Sequence, residues 1–298
     1  MAEQTTELLH PHAAGLHAAA APDVLALLLD AQLVAVASVR TALPALELAA
    51  VAGSHALRGG RKLAYAGAGS AGLMALADCL ELWGTFGIPP DRTPMLFAGG
   101  AAALLHMTGA VEDDPATAAA DLARADLRTG DAVICVSASG TTPYTLAVAR
   151  GAQSAGAQII ALSNVAGSSL LQMADIPVFL DTGPEVIAGS TRMGAASAQK
   201  VALNMLSVLV GIRLGHVHDG YMVNVVADNA KLIQRATRIV ASISDKDLSV
   251  AHAAMQAADG AVKPAVLIAL GATPAEALSM LQSTSGDLSA ALNHPEPH

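Results

Sequence analysis

Lys62-Leu63-Ala64-Tyr65-Ala66-Gly67-Ala68-Gly69-Ser70-Ala71-Gly72 decides how the rest of the chain is read. A short apolar run ends in a turn of glycines with one hydroxyl, and an apolar stretch of helical character follows at once. That pattern predicts a buried strand handing a loop to the N-terminus of a helix. Four more apolar runs repeat it, at residues 95–98, 132–136, 158–162 and 176–180, with helical stretches between them. Five short strands without polar alternation, joined by crossover helices, predict an α/β protein with a parallel, doubly wound sheet covered on both faces.

Working outward, Val24, Leu25, Leu27, Leu28, Leu33, Val34, Val36 and Val39 recur at helical spacing. They predict an N-terminal helical arm, with Pro44 separating two helices. Beyond the last strand, helical patterns run over residues 190–214 and 226–242. Residues 244–293 then read as three short helices, with Ser244 before Asp247, Gly271 after an apolar run, and Thr273-Pro274-Ala275-Glu276 as a capping box. The expected division is an arm at 1–59, a sheet domain at 60–240 and a C-terminal helical subdomain at 241–298. The end, His294-Pro295-Glu296-Pro297-His298, is expected to fray.

Of the 298 residues, 53% are hydrophobic, 14% charged and 2% aromatic, so the core is built from Ala, Leu and Val. Disordered and collagenous classes are excluded. Mean hydropathy is +0.48, but the charge-free stretches 94–111 and 151–174 are broken by glycines and by His106, Gln158 and Asn164. No membrane span is expected from them. Sixteen basic against 25 acidic residues give a net charge of −9, with no basic run, which argues against a nucleic-acid partner. Cys79 and Cys135 lack a partner motif and read as reduced thiols of a cytoplasmic protein. His10, His12, His216 and His218 stand without acidic or thiol company, so no metal is expected. His106, alone in an apolar run, reads more simply as a core residue than as a ligand. The first residues carry no signal-peptide pattern.

Gly67-Ala68-Gly69-Ser70-Ala71-Gly72 formally matches a dinucleotide fingerprint, but that reading wants an acidic residue closing the second strand, where Gly99-Gly100 stands. What the loop supplies is backbone N–H groups and a helix N-terminus aimed at an anion. The third strand delivers a second such turn, Ser137-Ala138-Ser139-Gly140-Thr141-Thr142-Pro143. Each alone reads as helix capping. Two of them at strand ends of one sheet predict a cradle of Gly69, Ser70, Ser137, Ser139, Gly140, Thr141 and Thr142 around a phosphate monoester, needing no lysine.

Ser137-Ala138-Ser139-Gly140, the segment from Gly183-Pro184-Glu185 to Ser190-Thr191-Arg192-Met193, Ala198-Gln199-Lys200 and Asn204-Met205-Leu206-Ser207 together resemble the N-acetylmuramic acid 6-phosphate etherase family of the sugar isomerase (SIS) superfamily. The resemblance covers about residues 60–240. It implies an SIS-type, flavodoxin-like five-stranded sheet and a C-terminal helical domain of the ubiquitin-associated (UBA) type. It also implies cleavage of the lactyl ether of N-acetylmuramic acid 6-phosphate to N-acetylglucosamine 6-phosphate and D-lactate, without metal or organic cofactor. Glu81 and Glu112 fall where that family carries its acid–base pair. Glu81 would protonate the departing oxygen and Glu112 would take the carbon-two proton. Glu81 lies in an apolar stretch that should desolvate it; Glu112-Asp113-Asp114-Pro115 also reads as an ordinary acidic helix start. Glu185, Ser190, Thr191, Arg192 and Lys200 are the further substrate-binding candidates.

Some positions depart from the family. Leu73, Thr141 and Gly194 stand where basic residues are usual, and Asn224 where Asp is usual. Arginine is suited to forked recognition of phosphate and carboxylate. Its loss keeps two alternatives open: a related lyase or isomerase on an amino-sugar phosphate lacking the carboxylate, or a non-catalytic sugar-phosphate sensor. Apolar helical faces at 22–57 and 201–214 exceed what one sheet covers, so a homodimer is expected.

Overall fold

A computed structural model describes residues 5–293. The parallel strands β1 (Leu63–Gly67), β2 (Met95–Phe97), β3 (Ala132–Val136), β4 (Gln158–Ser163) and β5 (Ile176–Phe179) form one sheet in the order β2-β1-β3-β4-β5. They match the apolar runs to within one residue at each end. Every residue of β1 and β3 is buried, as strands covered on both faces must be. On one face Ala64, Ala66, Val133, Cys135, Ile159 and Ala161 pack with Tyr144, Val148 and Ala152 of α6 (Pro143–Ser154) and Leu170 of α7 (Ser169–Met173).

Residues of opposite parity in β1 include Tyr65, fully buried. Its hydroxyl donates to Asp78 (2.9 Å) on α3 (Gly69–Phe86). Asp78 also accepts from Asn204 Nδ2 (2.7 Å) and Ser207 Oγ (2.9 Å) on α8 (Gly194–Arg213). Burial pushes the Asp78 carboxyl up, while these three donors pull it down. A buried carboxylate is tolerated only when so satisfied, and this one ties α3 to α8 and β1.

In the arm, α1 (Ala21–Ala37) and α2 (Leu43–Arg58) are joined by the 3-10 turn Ser38–Ala42, and Pro44 lies in the first turn of α2. Proline is accommodated there because the first turn has no intrahelical acceptor for its missing N–H. The buried side of α2 is Leu46, Ala49, Ala50 and Gly53. On α1, Leu25, Leu29 and Leu33, one turn apart, stay 67%, 59% and 59% exposed. Stretches 94–111 and 151–174 fold into strands and short helices, among them α4 (Gly100–Leu105). By length and composition two other stretches, Ala21–Arg58 and α8, could cross a membrane; 56% of the α8 window is buried inside the protein, against 11% for the arm.

By packing, residues up to Cys79 with Asp91–Leu209 form one unit, which also holds α5 (Pro115–Ala125), and Leu80–Pro90 with the chain from Val210 onward forms another. This differs from the expected divisions at 59/60 and 240/241. The arm groups with the sheet. In the second unit α9 (Ala230–Ser244) packs Ala236, Ile239 and Val240 with Ala251 and Met255 of α10 (Leu248–Ala257) and Val262 and Val266 of α11 (Val262–Ala269). Among the described residues four helices, not three, follow Ser244: α10, α11, α12 (Pro274–Ser283) and α13 (Leu288–Leu292). The extra one is started by Asp287, which accepts from Ala290 N (3.1 Å). The capping box forms, with Thr273 N donating to Glu276 Oε2 (2.7 Å) and Glu276 N to Thr273 Oγ1 (3.3 Å). Ser244 closes α9 by donating to Val240 O (2.7 Å) instead of opening the next helix. A two-stranded hairpin, β6 (Val217–His218) and β7 (Tyr221–Met222), had no sequence signal at that length. Residues 294–298, expected to fray, lie outside the described residues.

The second unit buries two bases. Burial, with Lys263 nearby, lowers His216 to about 4, and burial lowers Lys263 to about 8. The Lys263 ammonium donates to Gly286 O (2.7 Å), and His216 Nδ1 is buried without a partner among the described residues. Each group binds its proton less tightly folded than unfolded. The unfolded chain therefore holds more protons between about 4 and 6.5 for His216, and between about 8 and 10.5 for Lys263. Thermal melts across pH should show stability falling from pH 6.5 toward 4, and His216→Gln should flatten that acid limb. An unchanged limb in the variant would contradict the assignment.

Candidate functional site

The sheet order creates a switch point. From β1 the chain proceeds to β2 on one side, then crosses back to β3 on the other. In doubly wound sheets the crevice outside the carboxyl ends of two such strands is where ligands bind. Both hydroxyl-bearing loops open there, because Gly67, the end of β1, pairs in register with Val136, the end of β3.

The first loop is held by contact between its own glycines. A Cβ on Gly67 would lie 2.8 Å from Gly72 Cα, and one on Gly72 would lie 2.8 Å from both Gly67 C and Phe97 Cε2. Gly72 N donates to Ala68 O (2.8 Å), closing the turn. Gly69 has φ +52°, and a Cβ there would meet Glu112 Oε1 at 2.5 Å. The Glu112 carboxylate thus rests on the loop itself, at the start of α3. It is carried there by the 3-10 turn Gly109–Asp113. Glu112 is half-buried, and burial first, then Asp113, raises its pKa.

In the second loop Ser137 is buried and its Oγ lies 2.8 Å from Thr142 Oγ1 while accepting from Gly140 N (3.1 Å). Ser139 Oγ accepts from Thr141 N (3.2 Å) and Thr141 Oγ1 (3.0 Å). Gly140, at φ +64°, leaves room for Ser168 Oγ, which a Cβ would meet at 2.1 Å. Thr142, the residue before α6, makes no side-chain cap bond. The hydroxyls are therefore organised with one another rather than spent on capping, and Ser139 and Thr141 remain accessible.

Other candidates are placed differently. Glu185 is buried, and its two oxygens accept from Gly194 N (2.9 Å) and Ala195 N (2.8 Å), so it caps α8. Ser190 and Thr191 donate their backbone N–H groups to Ile187 O and Gly189 O within their own turn, and Arg192 is exposed. Lys200 is exposed on α8, where its charge stabilises ionised Asp78. Glu81 is exposed, beside Leu80 (69% exposed) and Trp83 (42%). The expected desolvation of Glu81 is absent from the single chain, because this turn of α3 points its apolar residues outward along with the glutamate. His106 is exposed too, not a core residue.

Sequence reasoning passed over Asn164 and Gln199. Asn164 Nδ2 donates to Leu180 O (3.2 Å) and Thr182 Oγ1 (3.3 Å), and Gln199 Nε2 donates to Asn164 Oδ1 (2.8 Å). This buried latch fixes the segment after β5 to α8; a polar pair ending an apolar strand was its available signal. Among the described residues no group of three or more His, Cys, Asp or Glu side chains could hold a metal ion.

Comparison with known proteins adds lineage to this geometry. The SIS domain family profile matches residues 31–164. The chain is similar to the N-acetylmuramic acid 6-phosphate etherase of Deinococcus radiodurans, 43% identical over 282 residues covering 94% of this chain and 92% of the relative. The enzyme of that name from Rubrobacter xylanophilus is 43% identical over 237 residues, 79% of this chain and 78% of its own. That from Bacillus subtilis is 33% identical over 294 residues, 98% and 97%. Among solved structures, a phosphoheptose isomerase from Francisella tularensis aligns with a TM-score of 0.51 at 19% identity, covering 65% of this chain and all of that one, which shows a shared fold.

Gly69→Ala should drive Glu112 off the loop and strain a left-handed backbone, abolishing thermal stabilisation by inorganic phosphate and lowering the melting temperature by several degrees. Gly84→Ala on the same helix, where a Cβ meets nothing within 4 Å, is the control and should leave phosphate stabilisation intact. Equal phosphate stabilisation in wild type and Gly69→Ala would refute the placement.

Proposed function

The chain belongs to the N-acetylmuramic acid 6-phosphate etherase family, and from that premise we propose how its residues carry out the cleavage. The sugar phosphate docks with its phosphate between Gly69-Ser70 and Ser139-Gly140-Thr141, held by amides, hydroxyls and the N-terminus of α3. Ser137 and Thr142 brace that loop from behind. The chemistry is carbon–oxygen lysis. In the open-chain sugar the carbon-two proton is acidified by the neighbouring aldehyde. Glu112 removes it, the carbon-three oxygen bond breaks, and the lactyl oxygen takes a proton from Glu81 to leave as D-lactate. Water then adds across the carbon-two, carbon-three double bond and restores N-acetylglucosamine 6-phosphate. The observation that carries this reading is the Glu112 carboxylate lying on Gly69, within the loop that would hold the substrate. Burial and the neighbouring Asp113 raise its pKa, which strengthens it as a base.

The same reading requires a second copy of the chain. Glu81 lies twelve residues beyond Gly69 on one continuous helix, about 18 Å along its axis at 1.5 Å per residue. That exceeds the reach of a glutamate side chain, so one chain's Glu112 is paired with Glu81 of a second subunit in a homodimer. Leu80 and Trp83 beside Glu81 are exposed apolar side chains that suit such an interface. They would desolvate Glu81 on association, giving an acid the environment it lacks in the single chain. Arg192, Lys200, Ser190 and Thr191 fit the outer wall, facing the lactyl carboxylate. Cytoplasmic placement suits the two free, buried thiols, Cys79 and Cys135.

D-lactate release from N-acetylmuramic acid 6-phosphate tests the proposal. Glu112→Gln and Glu81→Gln should each reduce it by about 10²–10⁴-fold, and wild-type activity should fall as pH is lowered and Glu112 takes up its proton, at a higher pH than an ordinary glutamate would. Sedimentation at micromolar concentration should give a dimer. Undiminished release in Glu112→Gln, or a monomer that is fully active, would overturn the mechanism.

A further inference from the structure

A second place in the molecule is built for an anion. Within the C-terminal unit, a hollow of about 320 Å³ is lined by Gly220, Tyr221 and Met222 of the β6–β7 hairpin and by Arg235, Arg238, Ile239 and Ser242 of α9. Arg235, Arg238 and Ser242 stand at i, i+3 and i+7 and so share one face of the helix. Tyr221 Oη lies 2.8 Å from Ser242 Oγ, which ties the hairpin to α9 and closes one wall with two hydroxyls. The hairpin turns at Asp219 and Gly220, both in the left-handed region (φ +46° and +80°), and this presents Tyr221 toward the helix. Among the described residues no carboxylate lines the hollow. The turn's Asp219 is 3.7 Å from His218 Nε2 instead.

The charge is unbalanced at this spot. Among the described residues neither Arg235 nor Arg238 is engaged in an ion pair or hydrogen bond, whereas Arg124 and Arg128 pair with Asp121 and Asp126 and Arg92 donates to Leu57 O and Arg61 O. In a chain of net charge −9, two adjacent guanidiniums without a carboxylate between them form a local positive site. Their forked donors match the geometry of a phosphate dianion, and the hydroxyl pair and the apolar floor of Met222 and Ile239 suit a small polar body attached to it. We infer that this hollow is a second binding site, separate from the switch-point loops, for a small phosphomonoester. Because a free phosphate and a sugar phosphate offer the same anion, the two are distinguished by measurement.

Calorimetric titration of the full chain at low ionic strength with inorganic phosphate, and separately with N-acetylglucosamine 6-phosphate, tests this. Wild type should take up two equivalents per chain. Arg235→Ala/Arg238→Ala should lose one, and Gly69→Ala the other. Arg235→Lys/Arg238→Lys keeps the charge but loses the forks, and should weaken the second site about tenfold without changing the fold. Tighter binding of the sugar phosphate at that site would assign it to the sugar ester, and equal binding to phosphate itself. One equivalent per chain with unaltered affinity in the arginine variants would overturn the inference. So would a smaller sedimenting species in those variants, which would make the arginines interface residues.

Discussion

The architecture of the site depends on how closely two pieces of backbone can approach at the end of β1. Gly67 and Gly72 touch where any side chain would collide, and this folds the loop tightly enough for α3 to begin at once. Gly69 then leaves the space that the Glu112 carboxylate fills. A loop opened by one methyl group would lose both its tight turn and its contact with Glu112. The Asp78 cluster acts at the other side of the same helix. By satisfying one buried carboxylate from Tyr65, Asn204 and Ser207, it fixes α3 against β1 and α8.

Few basic residues stand in the two loops of the proposed site. Thr141 turns its hydroxyl to Ser139, and Gly194 leaves room for Glu185, whose carboxylate a Cβ would meet at 3.1 Å. A long cation at 194 would have to displace that cap. In the proposed site, phosphate recognition would fall to amides, hydroxyls and the α3 terminus, which supply hydrogen bonds without side-chain charge.

Much of this was legible in the residues. Continuous apolar runs located all five strands because a sheet buried on both faces needs no polar alternation. The glycine and hydroxyl turns marked the two loops because helix N-termini demand acceptors or an anion. What stayed hidden depends on distant partners. Glu185 looked like a substrate ligand, and only its position against Gly194 and Ala195 turned it into a cap. Glu81 read as desolvated because its sequence neighbours are apolar, yet apolar neighbours on the outside of a helix desolvate nothing until another surface covers them. Arg235 and Arg238 carried no signal in the sequence, because the hairpin that lines a hollow with them is too short to announce itself.

The central claim is that the base belongs to one subunit and the acid to another. Mixing Glu81→Ala with Glu112→Ala under conditions of subunit exchange tests it most directly, since each is inactive alone. Random pairing makes half the dimers mixed, each with one intact composite site. The account predicts recovery of about a quarter of wild-type D-lactate release. A mixture that stays as inactive as its components would place both carboxylates in one chain and contradict it.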